Sequence, residues 1–175
     1  QMVGNSRPAS CAEHHLSHLR EMEVINEKLD ALHGEKVSVG TLLVLKEYKR
    51  IAESIRNREL RAVPYEDRDS ALLEETFGKK GLLEGIRKEN EPELLLEVSP
   101  ARLQDSLDEI ADIIDCLPEE KELRHAMKKA GCRKDVCDIG LTEEIVPVSL
   151  RLAPYVRRRL SFLRVSKMLR MKGEG

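Results

Sequence analysis

Apolar residues recur with a helical period over most of the chain. Ala12, Leu16, Leu19 and Met22 fall three or four apart, so they share one face and predict a first helix over about 10–28, with Ser10 as its N-cap. Residues 29–34 read as a connection, because Gly34 interrupts any helix through His33. Over about 35–57 the pattern widens. Val37, Val44, Leu45, Tyr48, Ile51, Ala52 and Ile55 keep the helical period, and Val39, Leu42 and Leu43 broaden the stripe. A helix apolar on so much of its circumference is surrounded by others, so this one is expected at the centre of the fold. Pro64 and Asp67-Arg68-Asp69 mark a loop, followed by helices over about 69–77 and 80–89, the second weakened by Gly81 and Gly85. Ser99-Pro100 pairs an N-cap with a proline at the first helical position, and Leu103, Leu107, Ile110 and Ile114 follow on one face. Pro118 opens a helix carrying Leu123, Met127 and Ala130, closed by Gly131 in the left-handed cap position. Residues 132–140 are irregular. Thr142 caps a further helix with Glu143 and Glu144 in its first turn, and Pro147 and Pro154 are expected to kink the last helical segments. No β-rich segment, Gly-rich nucleotide loop or internal repeat occurs. The fold class expected is all-α, a bundle of about seven or eight helices.

Composition narrows the function classes. Of 175 residues, 41% are hydrophobic and 35% charged, too apolar for a disordered chain, while 3% aromatic and no Trp argue for helices over a sandwich or barrel. A formal net charge of −2 argues against nucleic-acid binding by bulk attraction. No apolar run approaches the ~18 residues of a membrane span, and no signal peptide opens the chain. Cys11, Cys116, Cys132 and Cys137 form no CxxC pair and read as reduced thiols of a cytoplasmic protein, Cys11 as a small buried one. Residues 148–175 carry eight Lys/Arg against Glu174 alone. That strip reads as a solvated face or a contact with the acidic remainder, rather than a nucleic-acid surface.

Four of five histidines lie in the first 33 residues: His14, His15, His18 and His33. His14 and His18 are four apart and share a helix face, and His15 lies at its edge. His33 stands at the mouth of the central helix, which an antiparallel turn would return beside the first. Neutral imidazole suits zinc, nickel or iron, so this arrangement offers two ligands and a third imidazole nearby. Glu13 and Glu35 are weaker ligand candidates, since a carboxylate on a helix face is commonly solvated.

The segment from Ser6 through Arg7-Pro8-Ala9-Ser10-Cys11-Ala12-Glu13 to His14, then His18, then Leu32-His33-Gly34-Glu35-Lys36-Val37 and Val39-Gly40-Thr41, resembles the glycerol-1-phosphate dehydrogenase branch of the iron-containing alcohol dehydrogenase and glycerol dehydrogenase superfamily. Leu152-Ala153-Pro154-Tyr155-Val156-Arg157-Arg158-Arg159-Leu160 is similar to that branch's closing helix. The resemblance implies that residues 1–175 form the C-terminal helical metal- and substrate-binding domain of the dehydroquinate synthase-like fold. An N-terminal dinucleotide-binding domain, the main holder of NAD or NADP, would then lie outside this chain. It implies a divalent metal (Zn, Ni or Fe) held by His14, His33 and an Asp upstream of Gln1. It implies that His18 contacts substrate and serves catalysis, and it makes Arg7 a candidate for the substrate phosphate or a salt bridge. The reaction implied interconverts dihydroxyacetone phosphate and sn-glycerol 1-phosphate, in phospholipid metabolism and in the cytoplasm. This chain alone is expected to be inactive, and a homodimer enters as a candidate assembly. One departure stands out: Cys11 occupies a position where the family usually has Gly. The alternatives are a 3-dehydroquinate synthase-like cyclase, which lacks the Arg-Pro-Ala-Ser lead-in, and a non-enzymatic helical interaction module.

Overall fold

The computed structural model describes residues 11–173. In chain order the helices are α1 (Ala12–Glu21), α2 (His33–Arg56), α3 (Ser70–Gly78), α4 (Leu83–Glu89), α5 (Pro100–Asp105), α6 (Leu107–Asp115), α7 (Glu120–Lys129), α8 (Val146–Leu152) and α9 (Phe162–Val165). Short 3₁₀ turns join several of them. One two-stranded antiparallel ribbon pairs β1 (Leu60–Ala62) with β2 (Leu169–Met171), with Arg61 opposite Arg170. The all-α expectation holds, and the ribbon serves only to pin the chain's last residues to the end of α2. Among the described residues no helix is long and apolar enough to cross a membrane.

α2 is the central helix that its wide apolar stripe predicts. Val44 joins one core with Leu16, Leu19, Phe77, Leu152 and Leu163. Ile51, Ala52 and Ile55 join a second with Leu103, Leu107, Ala111 and Ile114, and Val39 a third with Val136 and Ile139. Leu16, Leu19 and Val39 are fully buried, each contributing roughly 1.5–3 kcal/mol by leaving water. α1 packs along α2, and Gly40 sets how closely: a Cβ there would stand 2.8 Å from the backbone oxygen of Glu13. Only a residue without that carbon lets the two helices meet at this crossing.

Several boundaries differ from the pattern, each for a local reason. The N-cap of α1 is Cys11, and it is exposed; Ser10 lies outside the described residues. Cys11 is therefore not a buried thiol. At its other end α1 stops at Glu21 instead of near 28. Glu23 turns into the left-handed region (φ 54°), and the Asn26 side chain donates to the Arg20 and Glu27 carbonyls, satisfying a helix-end acceptor. Met22, Val24 and Ile25 still pack on the core, but from a loop. α2 begins earlier, at His33, because the Glu35 carboxylate accepts from the Leu32 N–H at 2.8 Å and caps the first turn. Gly34 then sits in that first turn and breaks nothing. The stripe from Leu103 to Ile114 spans two helices with a junction at Ser106. Ser99 does cap α5, accepting from the Arg102 N–H at 3.4 Å, and Gly131 does adopt φ 70°. After Thr142 a 3₁₀ turn precedes α8, and Pro147 lies in the first turn of α8, where proline causes no kink.

The basic C-terminal stretch is partly internal. Arg164 is fully buried and donates to Glu93 and Asn90, while Arg151 and Lys167 reach Asp69. Contact with acidic parts of the chain, not a nucleic-acid strip, accounts for these three.

Candidate metal centre

The α1–α2 pairing brings His14, His18 and His33 together. Their ring centroids stand 5.6 Å apart for His14–His33, 5.3 Å for His18–His33 and 6.4 Å for His14–His18. Two imidazoles sharing one tetrahedral ion through nitrogens at about 2.0–2.1 Å have centroids roughly 5 Å apart, so His33 suits either partner and the His14–His18 pair is the widest. The side chains are 30, 33 and 46% exposed in sequence order, so the rings stand at an open surface. The groove of ≈ 550 Å³ lined by Leu43, Arg50, Val146, Leu150 and Lys167 includes none of them.

Carboxylates hold these rings. Glu21 Oε1 accepts from His33 Nδ1 at 2.8 Å, and its Oε2 accepts from His18 Nδ1 at 3.2 Å. Glu13 Oε1 accepts from His14 Nδ1 at 3.0 Å. A carboxylate can only accept, so each of these Nδ1 atoms carries a proton. Ser17, buried on α1, lies 3.3 Å from His33 Nδ1, and Lys36 Nζ lies 3.5 Å from Glu21 Oε1. Burial alone would raise the Glu21 carboxyl; the hydrogen bond and charge of His33, the His18 bond and the Lys36 charge outweigh it and hold the group below the usual carboxylate range. Three imidazoles side by side, with their Nδ1 atoms tied to carboxylates, are donors of the kind that divalent transition metals take.

Other candidates sort differently. His15 is fully buried on the core side of α1, and neither ring nitrogen has a partner among the described residues. Burial first, with Arg159, His18 and Arg157 adding to it against Glu13, lowers its pKa to about 4, so it is a neutral core histidine. Glu35 is occupied as the α2 cap and accepts from Arg133 at 3.1 Å, which removes it from the ligand candidates. Glu13 orients His14 instead of presenting a free carboxylate. Arg7 lies outside the described residues. Glu21 is the residue that the pattern does not single out, although it follows His18 by three on the same helix face. A donor atom each from His18, Glu21 and His33 lies within 4.8 Å of the others.

Known proteins were compared with the chain. It is 29% identical over 157 residues to "Glycerol-1-phosphate dehydrogenase [NAD(P)+]" of Geobacillus stearothermophilus, covering 89% of this chain and 32% of that protein. To the protein of the same name from Halalkalibacterium halodurans it is 28% identical over 165 residues, 93% of this chain and 33% of the relative. With the Bacillus subtilis protein so named, identity is 44% over 52 residues, 29% of this chain and 13% of the relative. The chain thus resembles these dehydrogenases over about nine-tenths of its length and spans about a third of theirs. No family model matches the chain. No solved structure matches it.

Proposed function

We propose that residues 1–175 form the helical metal- and substrate-binding domain of an NAD(P)-dependent glycerol-1-phosphate dehydrogenase, interconverting dihydroxyacetone phosphate and sn-glycerol 1-phosphate. The observation that carries the reading is the convergence of His14, His18 and His33, three imidazoles within 6.4 Å centroid to centroid, in a chain that resembles enzymes of that name. In this reading His14 and His33 hold the ion, and a third ligand and the dinucleotide-binding domain come from outside residues 1–175. The span of about a third of the relatives' length supports that division.

When bound, the divalent ion supplies Lewis acidity toward a substrate oxygen and the nicotinamide supplies or takes up the hydride. The chain's own residues orient and handle protons. His14 and His33, on separate helices, are kept in register by the Gly40 crossing, and Glu13 and Glu21 engage their Nδ1 atoms, leaving Nε2 as the atom for the ion. His18 has its Nδ1 committed to Glu21, so its Nε2 is the atom that holds or yields a proton at the substrate oxygen. Arg7 is assigned to the substrate phosphate, for which a guanidinium offers two parallel donors.

The test is NADH oxidation with dihydroxyacetone phosphate by the full-length protein, together with its metal content. Wild type turns over; His14→Ala loses both metal and activity; His18→Ala keeps the metal and loses activity by roughly 10²–10⁴-fold. An inert wild type, or metal retained in His14→Ala, overturns the reading. A second reading rests on the proximity of His18, Glu21 and His33 donor atoms: a metal held by those three. It reverses the outcome, with metal lost in His18→Ala and kept in His14→Ala.

A further inference from the structure

Glu21 sits at the last turn of α1 and bridges two of the three imidazoles. One oxygen takes the His33 Nδ1–H at 2.8 Å and the other the His18 Nδ1–H at 3.2 Å. The carboxylate is itself held by Lys36 Nζ at 3.5 Å, and Lys36 is buried with its backbone oxygen accepting from the buried Arg20 at 3.3 Å. α1 ends immediately afterwards, at the turn where the Asn26 side chain donates to the Arg20 carbonyl. We propose that Glu21 is a positioning residue: it fixes His18 and His33 simultaneously in the Nδ1–H tautomer, so that both Nε2 lone pairs face outward, one toward the ion and one toward substrate. The inference rests on the metal-site reading above and adds the residue that coordinates the two roles.

The bridge has a specific chemical requirement. Both rings donate, so both oxygens must accept. A glutamine of the same shape can accept from one ring only and presents an NH₂ to the other. That ring must then offer an Nδ1 lone pair and move its proton to Nε2, where it blocks ligation or proton exchange. Glu21→Gln therefore changes one tautomer with almost no change of volume, which a purely packing role would not produce.

The experiment uses the full-length protein with ¹⁵N-labelled histidine, free of metal at mildly alkaline pH, with two-bond ¹H–¹⁵N spectra reading the protonated nitrogen. Zinc titration against a competing chelator supplies a second readout. Wild type is expected to show Nδ1–H at both His18 and His33. Glu21→Gln is expected to show one of them as Nε2–H, with zinc affinity lowered roughly 10–100-fold where that ring is His33 and kept where it is His18. An Nε2–H tautomer at either ring in wild type overturns the proposal with no variant needed. Unchanged tautomers in Glu21→Gln overturn it as well. A His33 ring moved to Nε2–H with zinc bound equally by wild type and variant overturns the positioning role and leaves the metal reading intact; zinc not bound by wild type overturns the metal reading and this inference with it.

Discussion

At the junction of α3, α8 and the C-terminal turns, Asp69 is 5% exposed and gathers Arg151 Nε at 2.5 Å, Lys167 Nζ at 2.5 Å and the Tyr155 hydroxyl at 2.8 Å. Glu21, on the α1–α2 hairpin, likewise gathers several donors, yet its side chain is 32% exposed and two of its partners, beside Lys36, are imidazoles with a second ring nitrogen that it does not engage. Both are carboxylates that bind distant parts of the chain. Around Asp69 the partners are cations and a phenol whose other bonds stay within the fold, Arg151 donating also to the Arg68 carbonyl and Lys167 to the Arg151 carbonyl, and Lys167 covers the Tyr155 ring at 4.6 Å. Around Glu21 each imidazole bond leaves that ring a second nitrogen for another partner. A closed, buried set of hydrogen bonds stabilises the fold, whereas an exposed set whose members carry further donor or acceptor atoms leaves room for a ligand.

Mutation separates the two regions most strongly at Asp69. Asp69→Ala leaves half-buried Lys167 without its counter-charge and is expected to cost about 3–5 kcal/mol in urea unfolding, with metal content unchanged. Loss of metal in that variant would mean that the two regions are coupled. The same group sets a pH dependence. Burial alone would raise the Asp69 carboxyl, but Lys167, Arg151 and Tyr155 hold it below the usual range. A depressed carboxyl stabilises the fold fully above its unfolded pKa of about 4, and that contribution is lost as pH falls through the lower folded value. The stability gap between wild type and Asp69→Asn should therefore shrink as the pH falls from 7 toward 2.5; a constant gap contradicts the charge assignment.

On the hairpin, Gly40→Ala places a carbon 2.8 Å from the Glu13 oxygen, so α1 must shift. The expected cost is roughly 1–3 kcal/mol, with weaker zinc binding because His14 moves relative to His33. Unaltered zinc affinity would show that this crossing does not set the ring geometry. The smallest effect belongs to Cys11. It is exposed at the N-cap with no side-chain capping bond, so Cys11→Ser should change stability by no more than about 0.5 kcal/mol in thermal unfolding.

The helical period made α2 legible as the centre and the α1–α2 hairpin legible as a pair, because burial on several faces leaves an apolar pattern. The pairing of His14, His18 and His33 was legible from spacing of four and a short return. Boundaries were less so. The end of α1 depends on Asn26 folding back on Arg20, and the junction at Ser106 divides a stripe that reads as continuous. Glu21 was illegible for a different reason: a carboxylate late in a helix reads as solvated until the His33 ring, twelve residues on, is seen against it. The basic C-terminal residues were legible only as a solvated face or a contact with acidic residues, because the partner that decides it for Arg164 is Glu93, 71 positions away.

The most direct test of the account is a crystal structure of the zinc-loaded full-length protein with data on both sides of the zinc absorption edge. The account predicts an anomalous peak bonded to the Nε2 atoms of His14 and His33 at about 2.0–2.1 Å, with Glu21 still bridging the Nδ1 atoms of His18 and His33. An anomalous map with no zinc between those two rings would contradict it.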